Sequence, residues 1–164
     1  HGSFLDDEGA KMMAERGTFL VPTLMAGETV EIAAKKGVLT GLRAEKAIAA
    51  ATAMRSAIKT AVRLHVPVAF GTDAGVGNHG DNAREFELLV EWGGMTPLQA
   101  ITTATGSGAK LLGWEKDVGT LATGRFADVV AVRGDPTKDV HLLRQMMFVM
   151  KGGVVYRNTF GVQQ

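Results

Sequence analysis

The sequence predicts an α/β protein that ends in a β-rich tail. Two observations support this fold class. Up to residue 113, stretches with helical apolar periodicity alternate with short β-branched apolar runs, and after residue 113 only strand-like runs and glycine turns remain. We therefore expect two domains, an α/β domain over residues 1–113 and a β domain over residues 114–164.

The first elements alternate between helix and strand. "FLDDEGAKMMAERG", residues 4–17, has acidic residues in its first turn and apolar residues on one face, which predicts a helix ending at glycine. "TFLVPTL", residues 18–24, is typical of a short strand that stops around Pro22. Residues 28–65 have helical periodicity with a break at Gly37 and Gly41. The expected apolar face of the second helix includes Ala47, Ile48, Ala51, Met54, Ile58, Ala61, Val62 and His65.

A second strand and further helices follow. "PVAFGTD", residues 67–73, predicts a buried strand, and "NAREFELLVEWG", residues 82–93, a helix. Residues 96–113 predict one more helix, with Thr96 as its N-cap. In the tail, residues 118–136 predict two short strands around a Thr-Gly turn, and "MFVMKGGVVY" predicts a hairpin through its two glycines.

The composition indicates a folded domain that acts on small molecules. Of 164 residues, 46% are hydrophobic and 21% charged, which suffices to bury a core. The 18 basic and 17 acidic residues form no long basic run, so we expect no nucleic-acid or membrane partner and a small-molecule substrate instead. Because cysteine is absent, histidine and carboxylate remain as metal ligands. We expect a soluble protein, cytoplasmic or periplasmic; homo-oligomerisation stays open.

The loop "FGTDAGVGNHGDN", residues 70–82, raises two interpretations. Its G-x-G-x-x-G run resembles a dinucleotide fingerprint, which also requires a second strand with a terminal acidic residue about 20 positions later. Here that position, Ala100, falls inside a predicted helix. The other interpretation is that Asp73 is functional, because the carboxyl ends of strands carry the chemistry in βα proteins. A turn or helix-cap role for Asp73 also fits its position.

Four segments resemble the C-terminal part of the metal-dependent amidohydrolase family. They are "HGSFLDDEG", "GTDAG", "GMTPLQAITTATGSGAKLLG", and "VGTLATGRFADVVAVRGDP" together with "VMKGGVVY". The segments occur in the family's order, and the resemblance covers essentially the whole chain. Within the family, the chain is most similar to the imidazolonepropionase-related branch, which includes Xaa-Pro dipeptidase-like and acyl-amino-acid hydrolases.

The resemblance implies the fold and the cofactor. The family has a TIM (β/α)8 barrel that holds one or two divalent metal ions, usually zinc, and a small β-sandwich built from both chain ends. Residues 1–113 would be the C-terminal part of the barrel, with its strands seven and eight, and residues 114–164 the C-terminal half of the sandwich. The family's His-x-His, carboxylated lysine and strand-five histidine have no counterpart here, so we expect a missing N-terminal half as partner.

The resemblance also implies site residues. His1 resembles the metal-binding histidine after barrel strand six. Asp73 resembles the strand-eight aspartate, which binds metal and acts as the catalytic proton shuttle. His79, in the loop after Asp73, is a candidate for substrate binding, with a solvent-exposed loop histidine as the alternative. Thr23 would line the pocket or form a turn.

The expected function is hydrolysis of an amide bond in a small substrate, such as a dipeptide or N-acyl amino acid, by metal-activated water with Asp73 as proton shuttle. Two alternatives remain. In the first, the chain is a non-catalytic fragment or one part of a split protein that requires its missing N-terminal half. In the second, the enzyme is a cyclic amidine hydrolase or deaminase of the same superfamily. In either case we expect the chain alone to be inactive.

Overall fold

The computed structural model describes residues 1–161, which form six α-helices, a short 3-10 helix and a three-stranded sheet. The helices are α1 Asp7–Arg16, α2 Leu24–Lys35, α3 Gly41–Arg63, α4 Arg84–Glu91, α5 Pro97–Ala104 and α6 Gly106–Leu112. The strands are β1 Val129–Ala131, β2 Phe148–Lys151 and β3 Val154–Asn158, and the 3-10 helix Val140–Arg144 lies between β1 and β2. No helix within residues 1–161 combines the length and apolar composition that a membrane crossing requires.

The two predicted strands, one before α2 and one after α3, lie side by side and parallel. They pair only at a single bridge between Leu20 and Val68. The amide of Leu20 donates to the carbonyl of Pro67 at 2.8 Å, and the amide of Ala69 donates to the carbonyl of Leu20 at 2.9 Å. These segments are therefore shorter as strands than predicted, because two hydrogen bonds do not make a ladder. Their parallel alignment with intervening helices agrees with the βα pattern, while a closed barrel is not seen in residues 1–161.

The core lies where α2, α3 and α4 pack on the paired segments. Leu24, Ile58, Leu88 and Leu89 are fully buried there. Gly27 allows α2 to approach α3, because a Cβ at this position would lie 2.5 Å from the sulfur of Met54. The predicted apolar face of α3 is correct for Ala47, Ala51, Met54, Ile58 and Ala61, but wrong for Ile48 and His65, which are exposed.

The predicted helix over residues 96–113 is two helices. Thr96 caps α5 as predicted, in a capping box with Gln99. The helix is interrupted at Thr105, whose backbone angles of φ −116° and ψ −95° are not helical. The break falls directly before Gly106, where two glycines within three residues weaken helix formation.

The β tail forms an antiparallel sheet of order β1-β2-β3. The predicted hairpin is confirmed, since β2 and β3 are joined through Gly152 and Gly153. The strand predicted before the Thr-Gly turn is wrong, because residues 118–126 form turns and irregular chain. The guanidinium of Arg125 donates to the carbonyl of Val118 at 3.0 Å and so closes this segment.

A buried carboxylate joins the tail to the helical part. Glu87 of α4 is 3% exposed and accepts hydrogen bonds from Arg84 and from Arg144 of the 3-10 helix, with His141 at 3.1 Å. Burial raises the pKa of Glu87, but the hydrogen bonds from Arg144, Arg84 and His141 outweigh it and lower the pKa to about 2. Arg84 also binds Glu28 of α2, so this ionic cluster links three elements.

We predict that Glu87→Gln in the full-length protein lowers the free energy of unfolding by about 3–5 kcal/mol at neutral pH. The reason is that Arg84 and Arg144 lose the negative carboxylate with which both of them pair. Since the folded pKa of about 2 lies below the usual 4.5, this stabilisation is complete above pH 4.5 and is lost as the pH falls towards 2. Thermal unfolding of both proteins from pH 7 to pH 3 measures the difference. Lys138→Gln, which removes the exposed pair with Asp135, is the control with near-zero effect. A difference that does not shrink in acid contradicts this account.

Candidate functional site

The structure brings His1 and Asp73 together at the ends of the paired segments. The Nε2 atom of His1 lies 3.8 Å from the Oδ2 atom of Asp73, and both side chains are about half exposed, at 57% and 45%. The Nδ1 atom of His1 lies 2.6 Å from the hydroxyl oxygen of Thr23. Thr23 is 5% exposed, so it forms the floor of this small cluster rather than a surface turn.

The backbone is unusual at both strand ends. Thr23 has φ 49° and Asp73 has φ 52°, in the left-handed region. Aspartate tolerates this region, whereas a β-branched threonine rarely adopts it, and such residues cost about 1–3 kcal/mol each. Strained residues of this kind persist where the surrounding structure holds them, often at functional sites. Both of them here flank the His1 imidazole.

Helix α2 begins directly after Thr23, but the Thr23 side chain does not cap it. The carboxylate of Glu85, from α4, accepts from the amides of Leu24 at 2.9 Å and Met25 at 2.7 Å. Glu85 is completely buried. This burial raises the pKa of Glu85 to about 7, although the hydrogen bonds from Met25 and Leu24 oppose the rise.

The role of Glu85 at the start of α2 was not predicted from the sequence. The signal that indicates its burial is its position three and four residues before Leu88 and Leu89, on the apolar face of an amphipathic helix. A carboxylate on such a face is expected to have a specific partner. The identity of that partner, a helix terminus 60 residues earlier, is not visible in local sequence.

The residue before Asp73 is also held by the segment that leads into α4. The side-chain amide of Asn82 donates to the hydroxyl of Thr72 at 3.2 Å, and Thr72 is 7% exposed. The side-chain Oδ1 atom of Asn82 accepts from the backbone amide of Gly80 at 3.3 Å. The loop after Asp73 is thereby closed at its far end.

His79 lies in this loop and is exposed. His79 follows Asp73 in the loop that leads to α4. Its contact with substrate stays a prediction. His65, by contrast, precedes the segment that Asp73 follows, so the two residues lie at opposite ends of that segment.

The donors at His1 and Asp73 fit a divalent metal. Zinc–nitrogen and zinc–oxygen bonds of roughly 2.0–2.2 Å together exceed the 3.8 Å gap, so one cation can contact both atoms. The contact of Nδ1 with Thr23 leaves Nε2 as the ligand atom, which is the arrangement that metal-binding histidines use. Residues 1–161 contain no cluster of three acidic, histidine or cysteine side chains, while a catalytic zinc site takes three protein ligands.

Residues 1–159 match the model of the Amidohydrolase family, and the chain belongs to this family. The match confirms the resemblance predicted from the four sequence segments. The assignment to the imidazolonepropionase-related branch stays a prediction.

Named relatives make the similarity more specific. The chain is 32% identical over 161 residues to the ochratoxinase of Aspergillus niger, covering 96% of this chain and 33% of that protein. It superposes on a crystal structure of a Xaa-Pro dipeptidase with bound methionine in the active site, with a TM-score of 0.91, 38% identity, and coverage of 96% and 39%. A putative prolidase from Bifidobacterium longum gives a TM-score of 0.85 at 30% identity, with coverage of 96% and 41%. The chain thus spans well under half the length of these relatives and matches their C-terminal part.

Gly71 lies two residues before Asp73 and packs against the neighbouring segment at Val21. A Cβ at Gly71 would overlap the Cγ1 atom of Val21. We predict that Gly71→Ala in the full-length protein costs about 1–3 kcal/mol of stability and weakens zinc binding, because the segments must separate. Thermal unfolding and zinc titration measure both effects.

Gly106→Ala is the matched control, since a Cβ there meets nothing within 4 Å and lies in a helix. It should be neutral or stabilise by about 0.5–1 kcal/mol. Equal behaviour of the two variants would show that the close approach at Gly71 has no bearing on the site.

Proposed function

We propose that the complete protein is a metal-dependent hydrolase that cleaves amide bonds of small substrates, such as dipeptides or N-acyl amino acids. The observation that carries the proposal is the pairing of His1 with Asp73 at 3.8 Å, beside the end that Thr23 and Asp73 share in two parallel segments, in a chain of the Amidohydrolase family. The Xaa-Pro dipeptidase and prolidase among its structural relatives support an amide substrate over the deaminase alternative.

His1 would hold the metal through Nε2. Its ring is fixed from the other side by the Thr23 hydroxyl, so the ligand atom keeps its direction towards Asp73. A bound divalent ion, most simply zinc, would polarise the substrate carbonyl and lower the pKa of water. The further ligands that catalysis requires would come from the N-terminal half of a barrel, so the activity belongs to the complete protein.

Asp73 would be both a metal ligand and the catalytic acid–base group. Its carboxylate is half exposed, beside the proposed ligand nitrogen, and is therefore open to substrate and water. It would accept a proton from the attacking water and deliver it to the leaving nitrogen. Amide hydrolysis needs this delivery, because an amide anion is a poor leaving group.

Asp73→Asn in the full-length protein tests the proposal. Asparagine keeps the size and one ligand oxygen but cannot accept the proton, so kcat for a dipeptide substrate should fall by about 10²–10⁴-fold while zinc stays bound. Turnover, zinc content and melting temperature are measured together. Asp117→Asn, at an exposed position in the tail, is the control and should retain full activity. Near-normal kcat with a lowered melting temperature would identify Asp73 as a turn residue and overturn the proposal.

His79 is proposed to contact the substrate from the loop after Asp73. We predict that His79→Ala lowers kcat/KM by about 10- to 150-fold, the value of one hydrogen bond to a charged group, with unchanged zinc content. His65→Asn is the control, because His65 is exposed at the opposite end of the segment and asparagine suits its φ of 57°. Kinetics equal to those of the parent protein would make His79 a solvent-exposed loop residue.

A further inference from the structure

We propose that Glu85 is a positioning residue for His1 that acts through Thr23: Glu85 caps helix α2, which leaves the Thr23 hydroxyl to orient the imidazole. The inference rests on the proposed function, in which His1 binds the metal. Among the described residues, Glu85 forms its hydrogen bonds with Leu24 and Met25 and not with His1 or Asp73, so its effect on the site passes through the start of α2.

Helix α2 is capped by Glu85 and not by Thr23. A threonine before a helix normally has extended backbone and accepts a hydrogen bond from one of the first helical amides. Thr23 instead has φ 49° and makes no such bond. The first two amides of α2, at Leu24 and Met25, are bound by the two carboxylate oxygens of Glu85. The first amides of α2 therefore have hydrogen-bond acceptors, but these come from Glu85 of α4 and not from Thr23.

The Thr23 hydroxyl, which does not cap α2, contacts His1 instead. The Oγ1 atom of Thr23 lies 2.6 Å from Nδ1 of His1. When this oxygen accepts the Nδ1 proton, Nε2 carries the lone pair on the side of Asp73, as a metal ligand requires. The left-handed backbone at Thr23 therefore directs the hydroxyl to the histidine instead of to its own helix.

The placement of Glu85 is costly, which argues for a role beyond packing. The carboxylate is completely buried, and its raised pKa reflects that burial. Stability alone needs no carboxylate here, because Thr23 in an extended conformation would cap α2 without burying a charge. The segment leading into α4 also holds Thr72, beside Asp73, through Asn82. Both proposed ligands are thus supported from the start of α4.

The test uses the full-length protein with zinc as the probe. In the metal-free protein, histidine nitrogen NMR should show His1 as the Nδ1–H tautomer, and Thr23→Val or Glu85→Gln should convert it to a mixture. Each substitution should raise the zinc dissociation constant by about 10- to 100-fold, the usual effect of losing a group that orients a ligand.

A double-mutant cycle separates positioning from general destabilisation. If Glu85 acts through Thr23, Glu85→Gln should have almost no further effect on zinc affinity once Thr23 is valine. Glu31→Gln is the matched buried carboxylate, since Glu31 lies on α2 and pairs with Lys35 of α2 and Arg55 of α3. Thr103→Val is the matched buried hydroxyl. Both controls should lower the melting temperature while leaving the zinc affinity and the His1 tautomer unchanged.

Additive effects in the cycle, or an unchanged His1 tautomer in Glu85→Gln, would overturn the inference. If Glu85→Gln fails to fold, Glu85→Asp replaces it, since its shorter carboxylate reaches α2 less well and should shift the tautomer in the same direction. The two proposals fail separately. A protein that binds zinc as described but hydrolyses no amide contradicts the proposed function alone, whereas an active enzyme with additive effects contradicts the positioning role alone.

Discussion

The parallel contact between Leu20 and Val68 is the constraint on which the site depends. Its two backbone hydrogen bonds set the two segments side by side in a fixed register. Thr23 and Asp73 follow at the same end of the pair, so their side chains face the same small region that receives His1. Gly71 keeps the segments close, because any larger residue would meet Val21.

Helix α4 shows how the partners of a buried carboxylate decide its charge. Glu85 and Glu87 lie two residues apart and are both buried, yet burial raises the pKa of Glu85 to about 7 while that of Glu87 falls to about 2. Within residues 1–161, Glu85 accepts its hydrogen bonds from the backbone amides of Met25 and Leu24, whereas Glu87 has Arg144, Arg84 and His141 as partners. Charged partners overcome the cost of burial and neutral ones do not. One helix therefore anchors the β tail through Glu87 and supports the site through Glu85.

The sequence predicted features that depend on local patterns. Helix positions, the Thr96 cap and the glycine hairpin follow from periodicity and turn chemistry, and the family segments pointed to His1 and Asp73. Strand length was overestimated for the strand predicted from residue 18 to about residue 22, because a ladder depends on a neighbour that periodicity does not reveal. The cap of α2 was also out of reach, since Glu85 lies 61 residues from Leu24 in the sequence. The roles of His1, Asp73 and His79 stay predictions.

The strain at the site has a local source of compensation. Left-handed residues such as Thr23 and Asp73 cost about 1–3 kcal/mol each. Burying one leucine side chain contributes about 1.5–3 kcal/mol, and Leu24, Leu88 and Leu89 are fully buried in one core cluster. Leu24 directly follows Thr23 and donates its amide to Glu85. The residue that anchors α2 in the core thus also fixes the backbone next to Thr23, so burial of Leu24 helps to hold Thr23 in its left-handed conformation.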